Sequence, residues 1–401
     1  MSATRKINML EGSLWDKLIV FALPLAFTGL LQQLYNAADV AVLGRFVSDL
    51  AVAAVGNNVP VFGLIISFCM GLSIGVNVDV ARALGMKNDQ KASEAVRTSF
   101  ITAIVFGIFA LLIGQAFANS AMDWLDVPEE VRGYALIYLR VYLLGMPFIA
   151  IYNFLAAVFR SQGDTQTPLW ALLIASLFNI GGNLFAVLVL DWGVAGVALA
   201  TALANLLSAV ILFVKLTHLD GPLKLEVSQL LNVDIASLKS IVRIGLPAGV
   251  QGAVYALSNL VIQSAINSLG PEAMAGSVAA FTIENSVYCF INAFALSATT
   301  FVSQNYGARN LERCSRVMWV TMGLNMCATV LLTAGVLVFC RDLLGIFSSN
   351  EEVLALGMIR ILWVLVPQPL SVVMDTSFHS VGGGVKAPLA FIDPYGYHQT
   401  V

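Results

Sequence analysis

Long apolar runs alternate with short polar clusters along the whole chain. The pattern predicts helices at 18–43, 52–79, 98–118, 133–158, 168–190 and 194–215, then at 241–267, 276–302, 317–340 and 353–380. Each run holds the ~20 apolar residues that a helix needs to cross a bilayer. Between the sixth and seventh runs lies the longest polar stretch, 216–240, which contains Gly221-Pro222 and reads as a linker. The expected organisation is therefore a six-helix lobe (1–215), a cytoplasmic linker (216–240), a four-helix lobe (241–389) and an atypical tail (390–401). The fold class is an all-α polytopic membrane protein with two pseudo-symmetric helical lobes.

The symmetry is written in a repeat. Residues 22–46 align with 245–269 without a gap, at an offset of 223. Pro24 falls on Pro247, Gly29 on Gly252, Leu34 on Leu257, Asn36 on Asn259 and Val55 on Val278. After a slip of one residue, Gly85-Met86-Lys87-Asn88 matches Gly307-Ala308-Arg309-Asn310. The same register carries Glu129-Glu130-Val131 onto Glu351-Glu352-Val353, and Pro147 onto Pro369. Shared oiliness does not pair Gly, Pro and charged loop residues at constant spacing. A duplicated helical bundle does, and it is a pattern of secondary transporters.

Composition strengthens this picture. Hydrophobic residues make up 58% of the chain and charged residues 11%, against about a quarter charged in soluble domains. With the N-terminus placed in the cytoplasm, sixteen of the Lys and Arg residues fall on the inner side and five (Arg45, Arg132, Arg140, Arg341, Arg360) fall outside or in outer helix turns. That asymmetry orients the chain and supports the even span count. Both termini are expected in the cytoplasm of a bacterium, with the spans in its inner membrane. No cleavable signal peptide is evident, because the first apolar run is long enough to span. No basic patch with interleaved aromatics points to nucleic acid.

Enzyme chemistry finds no foothold. The five cysteines form no CxxC, the three histidines have no metal-ligand spacing, and no phosphate loop, GxSxG or HExxH occurs. No cofactor is expected, and an ion gradient is the natural energy source. A polar side chain inside a span is costly and usually faces a bundle interior or a wet cavity. In the first helix Gln32, Tyr35, Asn36 and Asp39 share a face, and in the fifth Ser176, Asn179 and Asn183 do the same. Two such stripes can converge on a hydrated niche around Asp39. A carboxylate there can take a proton, or ligate a sodium ion with amide and hydroxyl oxygens; the alternative is a structural helix–helix network. The second half has Glu284, Tyr288 and Asn292 on one face of the eighth span, and Gln251, Tyr255, Ser258 and Asn259 on the seventh. A buried Glu with aromatic neighbours suits an organic cation, with an ion pair as the alternative. Asp375 and His379, at i and i+4, read as an ion pair.

At this point the residues resemble a known family. Leu23-Pro24 followed by Tyr35-Asn36-Ala37-Ala38-Asp39 and Gly44-Arg45 looks like the first helix of the multidrug and toxic compound extrusion (MATE) transporters. The loop Phe159-Arg160-Ser161-Gln162-Gly163-Asp164-Thr165-Gln166-Thr167-Pro168 resembles that family's loop after helix four. Phe378–Pro388 is its counterpart in the second half. The resemblance implies two six-helix lobes about a pseudo-two-fold along the membrane normal. It implies export of cationic, amphipathic compounds in exchange for protons or sodium. On it, Asp39 matches the ion-coupling carboxylate, Asn179 a polar position of the same site, and Asn183 a place where some members carry a second Asp. Gln251 lies in the right helix for a second-lobe acid but is not acidic, and Asp375 lies off the expected position.

The family pattern also implies two helices beyond Pro388. The residues that follow, Leu389 to Val401, are too short and polar to span, which reads as a truncated or frame-shifted chain. The expected function is a monomeric antiporter for small organic cations, working by alternating access within membrane lipid. Asp39, Asn36, Asn179, Asn183, Tyr35 and Gln32 are the cation-coupling candidates, with Asp39 the possible sodium ligand. Glu284, Tyr288, Asn292, Gln251 and Tyr255 are the substrate-binding candidates. Two alternatives stand beside it: a flippase for lipid-linked oligosaccharides, which would want Lys and Arg in its cavity, and an inactive remnant.

Overall fold

The computed structural model describes residues 7–348 and 350–384. Among them the chain is helical with no strand: α1 (Trp15–Phe46), α2 (Asp49–Gly85), α3 (Asp89–Trp124), α4 (Glu129–Leu144), α5 (Met146–Ser161), α6 (Gln166–Leu188), α7 (Gly193–Thr217), α8 (Ile235–Asn267), α9 (Pro271–Gly307), α10 (Leu311–Val338), α11 (Cys340–Gly345), α12 (Glu351–Leu365) and α13 (Gln368–Gly383). Eight of these helices are long and apolar enough to cross a membrane, and ten spans result when the bent pairs α4–α5 and α12–α13 each count once. The tail 390–401 and the end of the second loop motif, Val385 to Pro388, lie outside the described residues.

The two bends correct the expectation of continuous fourth and tenth spans. They measure 45° and 43°. Proline lacks the amide hydrogen for the helical ladder and its ring crowds the preceding turn. Pro147 sits just past the first break, Pro367 lies in the second and Pro369 sits just past it. Pro24, Pro60 and Pro247 instead lie within continuous helices.

The repeated motif Gly85–Asn88 and Gly307–Asn310 has a local explanation. Lys87 and Arg309 both adopt the left-handed conformation, at φ 53° and 58°. Each turn then delivers an Asn to a helix start: Asn88 accepts from the Lys91 amide of α3, and Asn310 from the Arg313 amide of α10. The glycines permit a reciprocal close crossing. A Cβ on Gly85 would stand 2.0 Å from the Gln304 carbonyl oxygen, and one on Gly307 2.2 Å from that of Arg82. The repeat thus preserves a helix end, a left-handed turn and a cap as one unit.

The chain forms two compact units. One takes in Leu30–Val80 and Asn88–Leu260; the other takes in Ala81–Lys87 and, of its remaining segments, the described residues within 7–29 and 261–384. The division does not follow the linker: most of α8 counts with the first unit, and the start of α1 with the second. In the first unit the core gathers Leu43, Phe62, Met122, Tyr138, Leu139, Leu143 and Val197. Phe62 lies 4.0 Å, centroid to centroid, from Tyr142. The linker is pinned to this unit by the Asp234 amide, which donates to Thr98 Oγ1 at 2.9 Å. Asp234 then caps α8 by accepting from the Ser237 amide at 2.8 Å. That backbone hydrogen bond holds the Asp234 carboxyl below the usual carboxylate range. Two cores stand out among the described residues of the second unit. One surrounds Phe21 and Phe301, whose rings meet edge to face at 5.4 Å and 85°. The other joins Ile283, Leu344, Ile361 and Leu365.

Candidate cation-coupling site

Within the first unit, α1, α6 and α7 bring four polar side chains together. Asp39 is 2% exposed, and Asn179, Asn183 and Thr201 are buried with it. Asn183 Nδ2 donates to Asp39 Oδ1 at 2.6 Å, and Thr201 Oγ1 donates to Asp39 Oδ2 at 2.8 Å. Asn183 Nδ2 also reaches Asn179 Oδ1 at 3.1 Å, and Asn179 Nδ2 donates to Thr201 Oγ1 at 3.1 Å. The ring of contacts runs Asp39–Asn183–Asn179–Thr201 and back to Asp39. Residues 179 and 183 sit one turn apart on α6, so Asn183 reaches the carboxylate while Asn179 braces both of the carboxylate's partners, Asn183 and Thr201.

Two features set the chemistry. First, both carboxylate oxygens are held by neutral donors, and no Lys, Arg or His of the described residues pairs with Asp39. A buried charge without a counter-charge is costly in a low-dielectric interior. Second, Asn183 Oδ1 is buried with no hydrogen-bond partner. A carboxylate beside an unused amide oxygen is a donor set that accepts a proton or a hard cation through oxygen. Thr201 adds a switchable element. Its single hydroxyl proton lies within reach of Asp39 Oδ2 at 2.8 Å and of the Val197 carbonyl at 2.9 Å.

The other members of the expected set divide. Tyr35 belongs to the outer layer: its hydroxyl donates to the Thr201 carbonyl at 3.0 Å, and Asn205 Nδ2 approaches it at 3.4 Å. Gln32 and Asn36 make no hydrogen bond to this group. Asn36 is exposed, turned from the niche although it shares the helix stripe. Thr201 and Asn205 were not among the expected residues. Their signal was present, because Thr201, Asn205 and Ser208 recur at helical spacing in α7.

Glu284 corrects the expectation for the second half. It is 7% exposed, and both its oxygens are taken by one guanidinium. Arg360 Nε and Nη2 donate to Glu284 Oε1 and Oε2, each at 3.0 Å. Arg360 Nη1 donates to Ser277 Oγ at 2.6 Å, and the guanidinium lies 5.6 Å from the Phe281 ring centroid. This α9–α12 pair is internally neutral, so Glu284 is no lone carboxylate for an organic cation. Charge distribution alone places Arg360 among the outer-turn charges, and 76 residues of intervening sequence hide its pairing with Glu284. Tyr288 is exposed and Asn292 half-buried on the same helix, while Gln251 is half-buried and Tyr255 exposed on α8 of the first unit. The Asp375–His379 ion pair also gives way: His379 Nδ1 contacts the Asp375 backbone carbonyl at 2.8 Å, not its carboxylate.

Comparison with known proteins identifies the lineage. The sequence matches the MatE family over residues 24–185 and 247–389, one segment in each half of the repeat. It is 28% identical over 356 residues to the probable multidrug resistance protein YoeA of Bacillus subtilis (strain 168), covering 86% of this chain and 76% of that one. It is 27% identical over 350 residues to the probable multidrug resistance protein NorM of Thermotoga maritima, covering 85% and 74%. The fold is that of a MOP superfamily transporter from Pyrococcus furiosus Vc1, with a TM-score of 0.86 at 22% identity over 96% of this chain and 86% of that one. A MATE crystal structure in complex with MaD3S gives the same TM-score, 0.86, at 21% identity over 95% and 85%. With both halves of its repeat matched, this all-helical polytopic membrane protein belongs to the MatE family.

Proposed function

We propose that this protein is a multidrug exporter: a secondary antiporter that expels cationic, amphipathic compounds across a bacterial plasma membrane in exchange for a proton or sodium ion bound at Asp39. Family membership and relatives described as multidrug resistance proteins support the export reading. The single observation that carries the coupling is the buried Asp39 carboxylate, surrounded only by neutral donors, beside the unpaired Asn183 Oδ1.

In this reading the ion neutralises the niche. When Asp39 is protonated, its own O–H donates to Thr201 Oγ1, and the Thr201 proton turns to the Val197 carbonyl. Every hydrogen bond then survives the change of charge. When sodium binds, Asp39 and a turned Asn183 amide supply oxygens. Protonation reverses the Asp39–Thr201 bond and removes its charge assistance, and sodium replaces an amide hydrogen with an oxygen, so either event alters how strongly α1 is tied to α6 and α7. An ion that binds two conformations unequally shifts their populations, and a drug that prefers the other conformation is coupled to it by the same free energy. Alternating access follows from that linkage. For substrate, each unit offers recognition groups of its own: the Tyr255 ring and Gln251 amide on α8 of the first, and the Tyr288 ring and Asn292 amide on α9 of the second, through cation–π and hydrogen-bond contacts.

The test is ethidium efflux from vesicles energised by a pH or a sodium gradient. Asp39→Asn is expected to lose gradient-driven efflux while still folding. Full efflux in that variant removes Asp39 from the mechanism. Collapsing the proton and sodium gradients separately, each with its own ionophore, identifies the coupling ion.

A further inference from the structure

On the side of α6 and α7 that faces away from Asn179, Asn183 and Thr201 lies an apolar groove with a cavity volume of about 450 Å³. Phe178, Phe185, Trp192 and Leu203 wall it, over a floor that includes Gly181 and Gly182. The walls are open to the outside: Phe185 is 55% and Trp192 51% exposed. The floor exists because the helices approach closely through small residues. A Cβ on Gly182 would already stand 3.2 Å from the Ala200 Cβ, whereas one on Gly181 would meet nothing within 4 Å. Gly181 is therefore open space at the groove's base, not packing.

Both helices are membrane-spanning, so what surrounds this face is lipid. The groove continues an exposed apolar face formed by Trp170, Ile174, Leu177 and Leu188 of α6. Its length also selects an occupant. Phe178 stands ten residues before the end of α6 at Leu188. At 1.5 Å per residue that is about 15 Å, half of a ~30 Å hydrocarbon core and so the depth of one leaflet. Trp192 marks the outer end, in the turn before α7, where indole rings favour the membrane interface. A groove one leaflet deep, without charge, aromatic along its walls and capped by an interfacial Trp fits a single extended hydrocarbon chain.

We propose that this groove is a binding site for one acyl chain of a phospholipid in the leaflet that borders the α6–α7 turn. The chain lies along Phe178 and Phe185 with its carbonyl end near Trp192. It packs against the backs of the two helices whose fronts hold Asp39. The proposal rests on the membrane fold alone and stands or falls apart from the export activity.

The experiment uses full-length protein with Trp192 as its single tryptophan (Trp15, Trp124, Trp170, Trp319 and Trp363 each replaced by Phe). It is reconstituted in phosphatidylcholine vesicles with a graded fraction of acyl chains brominated near the carbonyl. A sister protein keeps only Trp363, 76% exposed and outside the groove. Half-maximal quenching of Trp192 is expected at a brominated fraction about threefold lower than for Trp363, a preference of roughly 0.6 kcal/mol. Gly181→Leu, which fills the groove, should move the Trp192 curve onto that of Trp363 and leave the Trp363 curve unchanged. Leu203→Phe serves as a second filling variant should Gly181→Leu fail to reconstitute. Identical curves for the two reporters mean only ordinary lipid contact and overturn the site. So does a preference that survives filling. Relief of Trp192 quenching by ethidium assigns the groove to a drug and overturns the lipid.

Discussion

Asp39 and Glu284 are both carboxylates buried within membrane-spanning helices, and their surroundings are opposite. Asp39 meets the Asn183 amide and the Thr201 hydroxyl, both neutral. Glu284 meets a guanidinium that grips both its oxygens and is itself held by Ser277 and the Phe281 ring. The same functional group therefore has two thermodynamic fates. Glu284 has its counter-charge built into the fold, and an external cation would have to displace Arg360 to reach it. Asp39 lacks one among the described residues, and in the proposed function a mobile ion supplies it. What distinguishes the proposed coupling site from the structural clamp is the charge of the partners, not the depth of the acid.

That contrast can be broken most severely at Asp39. Asp39→Asn keeps shape and hydrogen bonding but removes the charge. Gradient-driven ethidium efflux should fall to the level of empty vesicles, with the denaturation midpoint in SDS little changed. Glu284→Gln should do the reverse. Leaving the half-buried Arg360 without its anion should cost stability, at most about 3–5 kcal/mol. The double variant Glu284→Gln/Arg360→Met should recover most of that loss, because both charges leave together. An SDS titration of the three proteins reads this directly, and a stable Glu284→Gln single variant would break the clamp assignment.

Smaller effects sharpen the comparison. Thr201→Val leaves Asp39 Oδ2 and Asn179 Nδ2 without their partner, for about 1–3 kcal/mol. Thr201→Ser keeps the hydroxyl and should transport close to the original protein, whereas Thr201→Val should shift the pH dependence of efflux. Smallest is the linker, whose charge is neither buried nor coupling. Asp234→Ala removes the α8 cap for about 1 kcal/mol. Because the Asp234 carboxyl is held low in the folded protein, its contribution is present above the ordinary carboxylate range and is lost as pH falls through the folded value. The stability gap between Asp234→Ala and the original chain should therefore close under acid.

How much of this was legible beforehand varies with range. The ten spans follow from runs of apolar residues, because a bilayer demands length and oiliness from each segment independently. The Gly85–Asn88 repeat was visible, though its reason, a left-handed turn between a close crossing and a cap, was not. In the site, Asp39, Asn179 and Asn183 announced themselves as polar residues at helical spacing. Asn36 shares that stripe but is exposed, since a stripe fixes a face only to within tens of degrees. Thr201, 162 residues from Asp39, passed as an ordinary threonine in an apolar helix. Arg360 hid in the same way, 76 residues from Glu284.

The sequence by itself determined that this is a duplicated membrane helix bundle with an acid in its first span, because hydropathy, periodicity and repeat are properties of single segments. Only the tertiary structure decided which acid has a cation beside it and which does not. It also decided that two spans bend and that unit boundaries cut through α1 and α8. Those facts depend on which distant side chains and backbones come within a few ångströms of each other. Electrostatic fate is set at that distance, and one-dimensional order does not record it.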